Sequence, residues 1–238
     1  MKLEELFQYI QENELSYIQM QDYSDLIDKA LGYEVYRIEK EILEQAIDKY
    51  PKGNKKTWGR SLFGGSEAWI GLHPKQLQTT YSEILSILKN SDFNDSNSIC
   101  DLGAGYGRIG VVVGLYYKLS SFYGIELVKE RVLEGLRVFK ERRFEKHSFI
   151  CENLRCINIP VCDYYFIYDF GVVSEINYVL DSLSLVSEKK KIKVIARGRG
   201  VISLIENKHT WLTIFEPKIF KTYSIFLSHD PSAYGLEN

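Results

Sequence analysis

The chain has 238 residues, 45% of them apolar, enough for one full α/β domain with a sizeable core and a helical extension beside it. A formal net charge of −2 and an isoelectric point near 6.1 give no global attraction to nucleic acid or to an anionic membrane, so neither DNA nor a membrane is expected as a partner. No apolar run reaches the ~18 residues of a membrane span, and the acidic start Met1–Leu6 lacks the apolar core of a signal peptide, which points to the cytoplasm.

In chain order, residues 1–50 carry helical periodicity. Leu3, Leu6, Phe7 and Ile10 share one face, and Ile38, Ile42, Leu43 and Ile47 share another. The cluster Pro51-Lys52-Gly53-Asn54 ends that pattern. Residues 51–75 then read as a long connection rich in glycine, aromatics and base, and a loop of that length is functional or disordered. Lys52, Lys55, Lys56 and Arg60 with Trp58, Phe63 and Trp69 suit a loop that steers and covers an anionic acceptor. Residues 76–90 read as one helix, with Leu77, Tyr81, Ile84, Leu85 and Leu88 on one face. Strands at 97–101, 121–126, 147–151, 164–169 and 191–196 alternate with helices at 107–118, 129–142, 173–187 and 199–207, which predicts a mainly parallel sheet covered on both faces. The last apolar runs, Trp211–Phe215 and Tyr223–Leu227, flank Pro217 and look like an antiparallel pair. The tail Ser228–Asn238 is expected to be loosely held. Cys100, Cys151, Cys156 and Cys162 form no Cys-x-x-Cys pair and are expected as reduced, buried thiols, and no metal site is expected.

The chemistry concentrates at Ser98-Ile99-Cys100-Asp101-Leu102-Gly103-Ala104-Gly105-Tyr106-Gly107-Arg108. An apolar run closes on an acid, passes three alternating glycines and enters an apolar helix. Glycines there let a ligand approach the main chain, and the helix start presents unpaired N–H groups to an anionic group. A dinucleotide fingerprint, Gly-x-Gly-x-x-Gly, would need its third glycine at position 108, where this chain has Arg108.

The pattern Asp-x-Gly-x-Gly-x-Gly instead resembles the first motif of class I S-adenosylmethionine-dependent methyltransferases. Three further elements extend the resemblance over about residues 79–228. Ser121–Glu126 is an apolar run ending in an acid 19 residues after Gly107; His147–Asn153 is a strand-like run closed by Glu152 and Asn153; Tyr164–Phe170 closes on Asp169 and Phe170. The resemblance implies an α/β, Rossmann-like, mainly parallel seven-stranded sheet with helices on both faces and a C-terminal antiparallel hairpin. It divides the chain into an N-terminal helical extension with an acceptor or lid loop (1–75) and a cofactor-binding methyltransferase domain (76–238). It implies S-adenosylmethionine as cofactor, its amino-acid end held by Asp101, Gly103, Ala104, Gly105 and Gly107. Glu126 would hold the ribose, as an acid at that strand end does in dinucleotide sites. Leu127 would lie under the adenine, Glu152 and Asn153 would read its edge, and Asp169 and Phe170 would sit at the transferring methyl. Thr80 and Tyr81, in the segment 79–83, would add cofactor contacts.

The acceptor stays open. Methylases of exocyclic nucleobase amines carry Asn/Asp-Pro-Pro-aromatic after the fourth strand, where this chain has Asp169-Phe170-Gly171-Val172. Tyr81-Ser82-Glu83 has a fainter similarity to the Tyr-Gly-Glu of non-SET protein-lysine methyltransferases. Protein lysine, a small molecule and RNA are the candidates, and the oligomeric state is not set by the sequence. Two other classes remain: an NAD(P)-dependent oxidoreductase, and a non-catalytic cofactor-binding module acting through partners. Asp169 also reads as a helix N-cap before Val172-Val173-Ser174-Glu175. His73 is a surface histidine or a general base in the long loop, and Arg197-Gly198-Arg199-Gly200 a glycine turn or an anion contact.

Overall fold

The computed structural model describes residues 1–229. Three helices come first: α1 (Leu3–Glu12), α2 (Tyr17–Leu31) and α3 (Val35–Lys49). Two short ones follow, α4 (Trp58–Leu62) and α5 (Pro74–Leu77), then α6 (Tyr81–Asn90). The sheet domain runs β1 (Ser98–Leu102), α7 (Arg108–Tyr116), β2 (Ser121–Glu126), α8 (Lys129–Arg142), β3 (His147–Cys151), β4 (Tyr164–Tyr168), α9 (Val173–Ser187), β5 (Lys193–Arg197), α10 (Arg199–Lys208), β6 (Lys218–Ile219) and β7 (Tyr223–Leu227).

The seven strands stand in the order β3-β2-β1-β4-β5-β7-β6. The first five in sequence are parallel, while β7 runs antiparallel to β5 and β6 antiparallel to β7. The strand order reverses between β1 and β4, and open α/β sheets bind ligands beyond the carboxyl ends of strands at such a point. Successive side chains of a strand face opposite ways, and the core divides accordingly. Ile99, Phe122, Tyr164 and Phe166 pack with α1–α3 and α6–α8, while Cys100, Leu102, Tyr165 and Ile167 pack with α9 and α10. The N-terminal helices therefore share a core with one face of the sheet: Leu6, Phe7, Ile10, Ile27 and Leu31 lie in the same buried cluster as Ile109 and Val112.

Two charged contacts fix that docking. Arg108, 6% exposed, donates from Nη2 to Asp28 Oδ2 at 2.5 Å and from Nη1 to the Thr79 carbonyl at 3.1 Å. Tyr81 donates its hydroxyl to Asp28 Oδ1 at 2.8 Å, and the guanidinium lies 5.1 Å from the Tyr81 ring centre. Burial raises the Asp28 pKa even though Arg108 opposes it. The second contact joins α3 to α8 through Glu39 and Arg131.

Several expectations are corrected. The helix expected over 76–90 is two helices, because Thr80 leaves the helical path and caps α6, accepting from Glu83 N at 3.3 Å. The first arm of the terminal hairpin is Lys218–Ile219, not Trp211–Phe215. Leu212 is fully buried against α10 and its neighbours, and Thr210–Leu212 closes as a 3₁₀ turn to bring it there. The loop 51–75 contains α4, with Trp58 Nε1 donating to the Tyr50 carbonyl at 3.1 Å. Ile47 is exposed, as are Cys151 and Cys156, whereas Cys100 and Cys162 are buried thiols. Ser228, the first residue of the expected loose tail, is buried with its hydroxyl accepting from Ile192 N at 2.9 Å; the part of that expectation from residue 230 on lies outside the described residues. Among the described residues no helix is long and apolar enough to cross a membrane.

Candidate functional site

The turn after β1 is held by its own backbone. Gly103 N and Ala104 N both donate to the Ile125 carbonyl, at 2.9 and 3.0 Å, and Gly107 N donates to the Ala104 carbonyl at 2.8 Å. Gly103, Gly105 and Gly107 all have positive φ, at +90°, +56° and +80°. At Gly107 a Cβ would come within 2.8 Å of the Phe139 ring, so helix α7 can start only from glycine there. At Gly105 a Cβ would meet nothing within 4 Å, because that residue faces open space.

Opposite the turn stands Glu126, 7% exposed at the end of β2. Its Oε2 accepts from Gly105 N and its Oε1 from Val128 N, each at 2.9 Å. The carboxylate is thus aimed across the turn before any ligand arrives. A cavity opens between them, about 840 Å³ of empty space with its mouth and the solvent there included. Its lining includes Gly103, Gly105, Glu126, Leu127, Glu152 and Asn153. Trp69, Tyr168, Asp169, Phe170 and Glu175 line it as well, with Leu77, Gln78 and Arg131.

Eight residues singled out in the sequence therefore meet at one cavity: Gly103, Gly105, Glu126, Leu127, Glu152, Asn153, Asp169 and Phe170. Asp101 and Ala104 line a smaller space beneath the turn, which shares Leu77, Gln78, Gly103 and Tyr168 with the larger one. Gly107, Thr80 and Tyr81 line neither. Thr80 is 1% exposed and caps α6, and Tyr81 is fully buried with its hydroxyl on Asp28, so the upstream segment reaches the site through Leu77, Gln78 and Thr79 instead.

Two polar groups at this junction lack partners. Asp101 is 5% exposed and its carboxylate makes no hydrogen bond among the described residues. Burial, and then the nearby Glu126 charge, push its pKa well above the usual carboxylate range. Gln78 is 8% exposed and its Nε2 is buried with no hydrogen-bond partner. An acid without a cation and an amide without an acceptor, facing the same space, suit a ligand that carries both an ammonium and a carboxylate. Sequence reasoning missed Gln78, since the amide matters only once the fold buries it.

Asp169 has a structural duty different from the one expected. Its carboxylate accepts from Gly200 N at 3.1 Å and Val201 N at 2.7 Å, capping α10 across the sheet edge, while Glu175 serves Val172 N at the start of α9. Arg197 is buried, pairs with Glu83 at 2.9 Å and stacks 4.0 Å from the centre of the Tyr168 ring; only Arg199 of that pair of arginines is exposed. Tyr168 in turn meets Trp69 edge to face at 6.0 Å. Of the loop 51–75 it is Ser66, Glu67, Ala68 and Trp69 that reach the cavity, and Asn153 Nδ2 donates to Ser66 Oγ at 2.7 Å to hold them. The basic half lies apart: Lys52, Lys55 and Lys56 are exposed and do not line this cavity, and Arg60 pairs with Glu67 at 2.8 Å. His73 is exposed and accepts from Lys75 N at the start of α5, away from the cavity.

No protein-family model matches the sequence, and no curated protein matches it. Among solved structures, the fold is similar to TrmN from Thermus thermophilus, with a TM-score of 0.50 and 12% identity over 64% of this chain and 49% of that one. The match thus spans about half of the TrmN chain. An RNA methyltransferase from Salinibacter ruber in complex with S-adenosyl-L-homocysteine aligns at TM-score 0.48 and 16% identity, over 65% of this chain and 94% of that one. A SAM-dependent methyltransferase from Aquifex aeolicus aligns at 0.48 and 12%, over 61% and 88%. At these identities the likeness is one of fold: a seven-stranded, mostly parallel Rossmann-like sheet with a C-terminal antiparallel pair.

Proposed function

We propose that the chain is an S-adenosylmethionine-dependent methyltransferase whose cofactor occupies the cavity between the 103–107 turn and Glu126. One observation carries the reading. The glycine turn and a carboxylate already fixed on Gly105 N line one cavity at the strand-order reversal, and the unmet Asp101 and Gln78 line the smaller space that adjoins it through Gly103 and Gln78. That set fits a molecule with a ribose at one end and an amino-acid group at the other.

When bound, the cofactor supplies a methyl group already activated on a sulfonium, so the protein's work is alignment and exclusion of water. Glu126 would accept from the ribose hydroxyls, and its bonds to Gly105 and Val128 leave it little freedom to lose on binding. Asp101 would take the ammonium and Gln78 Nε2 the carboxylate, each gaining the partner it lacks. Leu127 would pack under the adenine, with Glu152 and Asn153 at its edge. Trp69, Tyr168 and Phe170 would form the wall past which the acceptor approaches, held from behind by Arg197 and by the Asp169 cap on α10. Protein lysine, a small molecule and RNA remain the acceptor classes. Residues 1–75 act as an extension that supports this site, and the enzyme works in the cytoplasm.

Calorimetric titration with S-adenosylmethionine, S-adenosylhomocysteine and NAD tests the reading. Saturable binding of the first two and none of NAD is expected; binding of NAD alone would assign the fold to a dinucleotide enzyme. A survey of cell lysate with labelled methyl donor then identifies the acceptor.

A further inference from the structure

Arg131, on α8, is 6% exposed and has partners in three parts of the chain. Its Nε donates to Glu39 Oε1 at 2.7 Å and its Nη2 to Glu39 Oε2 at 3.0 Å, a bidentate pair with α3. Nη2 also donates to the Trp69 carbonyl at 2.7 Å. Nη1 stands 3.9 Å from Glu126 Oε1. Glu39 Oε1 accepts in addition from the Tyr106 hydroxyl at 2.9 Å, which ties the same pair to the glycine turn. Two elements of the cavity lining, the Trp69 segment and Glu126, thus meet at one guanidinium that itself lines the cavity, and the guanidinium is braced from the N-terminal helices.

We propose that Arg131, held by Glu39, is a positioning residue of the cofactor site: it latches the Trp69 segment against the cavity and helps to orient Glu126. The N-terminal helices then take part in ligand binding without touching the ligand. The fork geometry is what makes the residue suitable. Guanidinium presents several coplanar donors, whereas a lysine ammonium is a point charge that cannot serve a carboxylate pair, a carbonyl and a second carboxylate from one place. As to the ligand, the inference rests on the function proposed above.

The test separates a latch from a plain stabilising contact. Trp58→Phe and Trp211→Phe leave Trp69 as the only tryptophan, and its quenching by acrylamide reports the latch with no ligand present. Arg131→Lys is compared with Glu39→Leu/Arg131→Met, which removes both charges and so avoids a buried unpaired ion. The proposal expects Trp69 quenching to rise about twofold in both variants as the segment loosens. It expects S-adenosylhomocysteine affinity to fall about tenfold or more, the worth of one charge-assisted contact. Both losses should persist in the double variant even where its melting temperature returns to that of the parent. Quenching and affinity that recover with the melting temperature, or that Arg131→Lys leaves unchanged, overturn the proposal. Should the double variant not fold, Arg131→Lys below its melting temperature decides alone. Should the parent bind no S-adenosylhomocysteine, the proposed function falls, and Trp69 quenching in Arg131→Lys still decides the latch.

Discussion

Consider Asp101→Asn, which keeps the shape of the side chain and removes its charge. In the ligand-free protein Asp101 is a buried acid without a hydrogen bond among the described residues, and burial plus the charge of Glu126 raise its pKa. Above its ordinary pKa the unfolded chain has lost the proton while the folded chain retains it, so Asp101 makes the folded state less stable as pH rises. Asn carries no such penalty. The variant should therefore be more stable than the parent by about 1–3 kcal/mol once the pH exceeds the folded-state pKa, with the gap closing toward pH 4. For a chain of this length that is a melting temperature higher by roughly 2–10 °C. Cofactor binding should move the other way. Loss of a charge-assisted contact to the ammonium costs about 1.5–3 kcal/mol, or on the order of 10–100-fold in affinity. Binding to the parent should also expel the Asp101 proton, so its titration heat should differ between buffers of unlike ionisation enthalpy, and the Asn variant should show no such difference. Melting curves from pH 4 to 8 and titrations in two buffers measure all of this. A variant that melts lower than the parent at neutral pH and binds with unchanged affinity would make Asp101 a structural residue with no part in binding.

The other substitutions probe separate parts of the account. Glu126→Ala should lower S-adenosylmethionine affinity about 10–100-fold, read by titration, because the ribose hydroxyls lose a charged acceptor and Gly105 N loses its partner. Asp28→Ala strands the buried Arg108 and should cost about 3–5 kcal/mol in denaturant unfolding; a loss below about 1 kcal/mol would mean that the N-terminal helices dock by their apolar faces alone. His147, packed among the rings of Phe122, Phe139 and Phe144, has its pKa pushed down to about 4 by burial. Its folded-state pKa lies below the unfolded one, so stability is lost as pH falls from about 6.5 toward 4, by up to about 3 kcal/mol. His147→Phe should flatten that part of the pH profile relative to the parent.

Local pattern revealed much of the sheet domain. The strands at 121–126 and 147–151 and the helices at 129–142 and 173–187 stand where their periodicity and flanking residues place them. The glycine turn and the acid of β2 were also legible, because spacing along one βαβ unit largely fixes their meeting. What escaped depends on distant contacts. Nothing near Arg108 announces Asp28, 80 positions earlier, or explains why an arginine stands where a dinucleotide fold needs glycine. Gln78 gains meaning only when the fold buries its amide. The break before α6 was within reach: Thr80-Tyr81-Ser82-Glu83 has the spacing of a capping box, and the apolar stripe running on from Leu77 obscured it. Trp211–Phe215 has strand composition, but burial of Leu212 outweighs it.

Titration of the purified chain with S-adenosylhomocysteine needs no acceptor and no turnover, and so asks only whether the cavity holds the cofactor. One saturable site per chain is expected, lost or weakened at least about tenfold in Glu126→Ala. No heat and no thermal stabilisation with either S-adenosylhomocysteine or S-adenosylmethionine, from a protein that melts cooperatively, would contradict it.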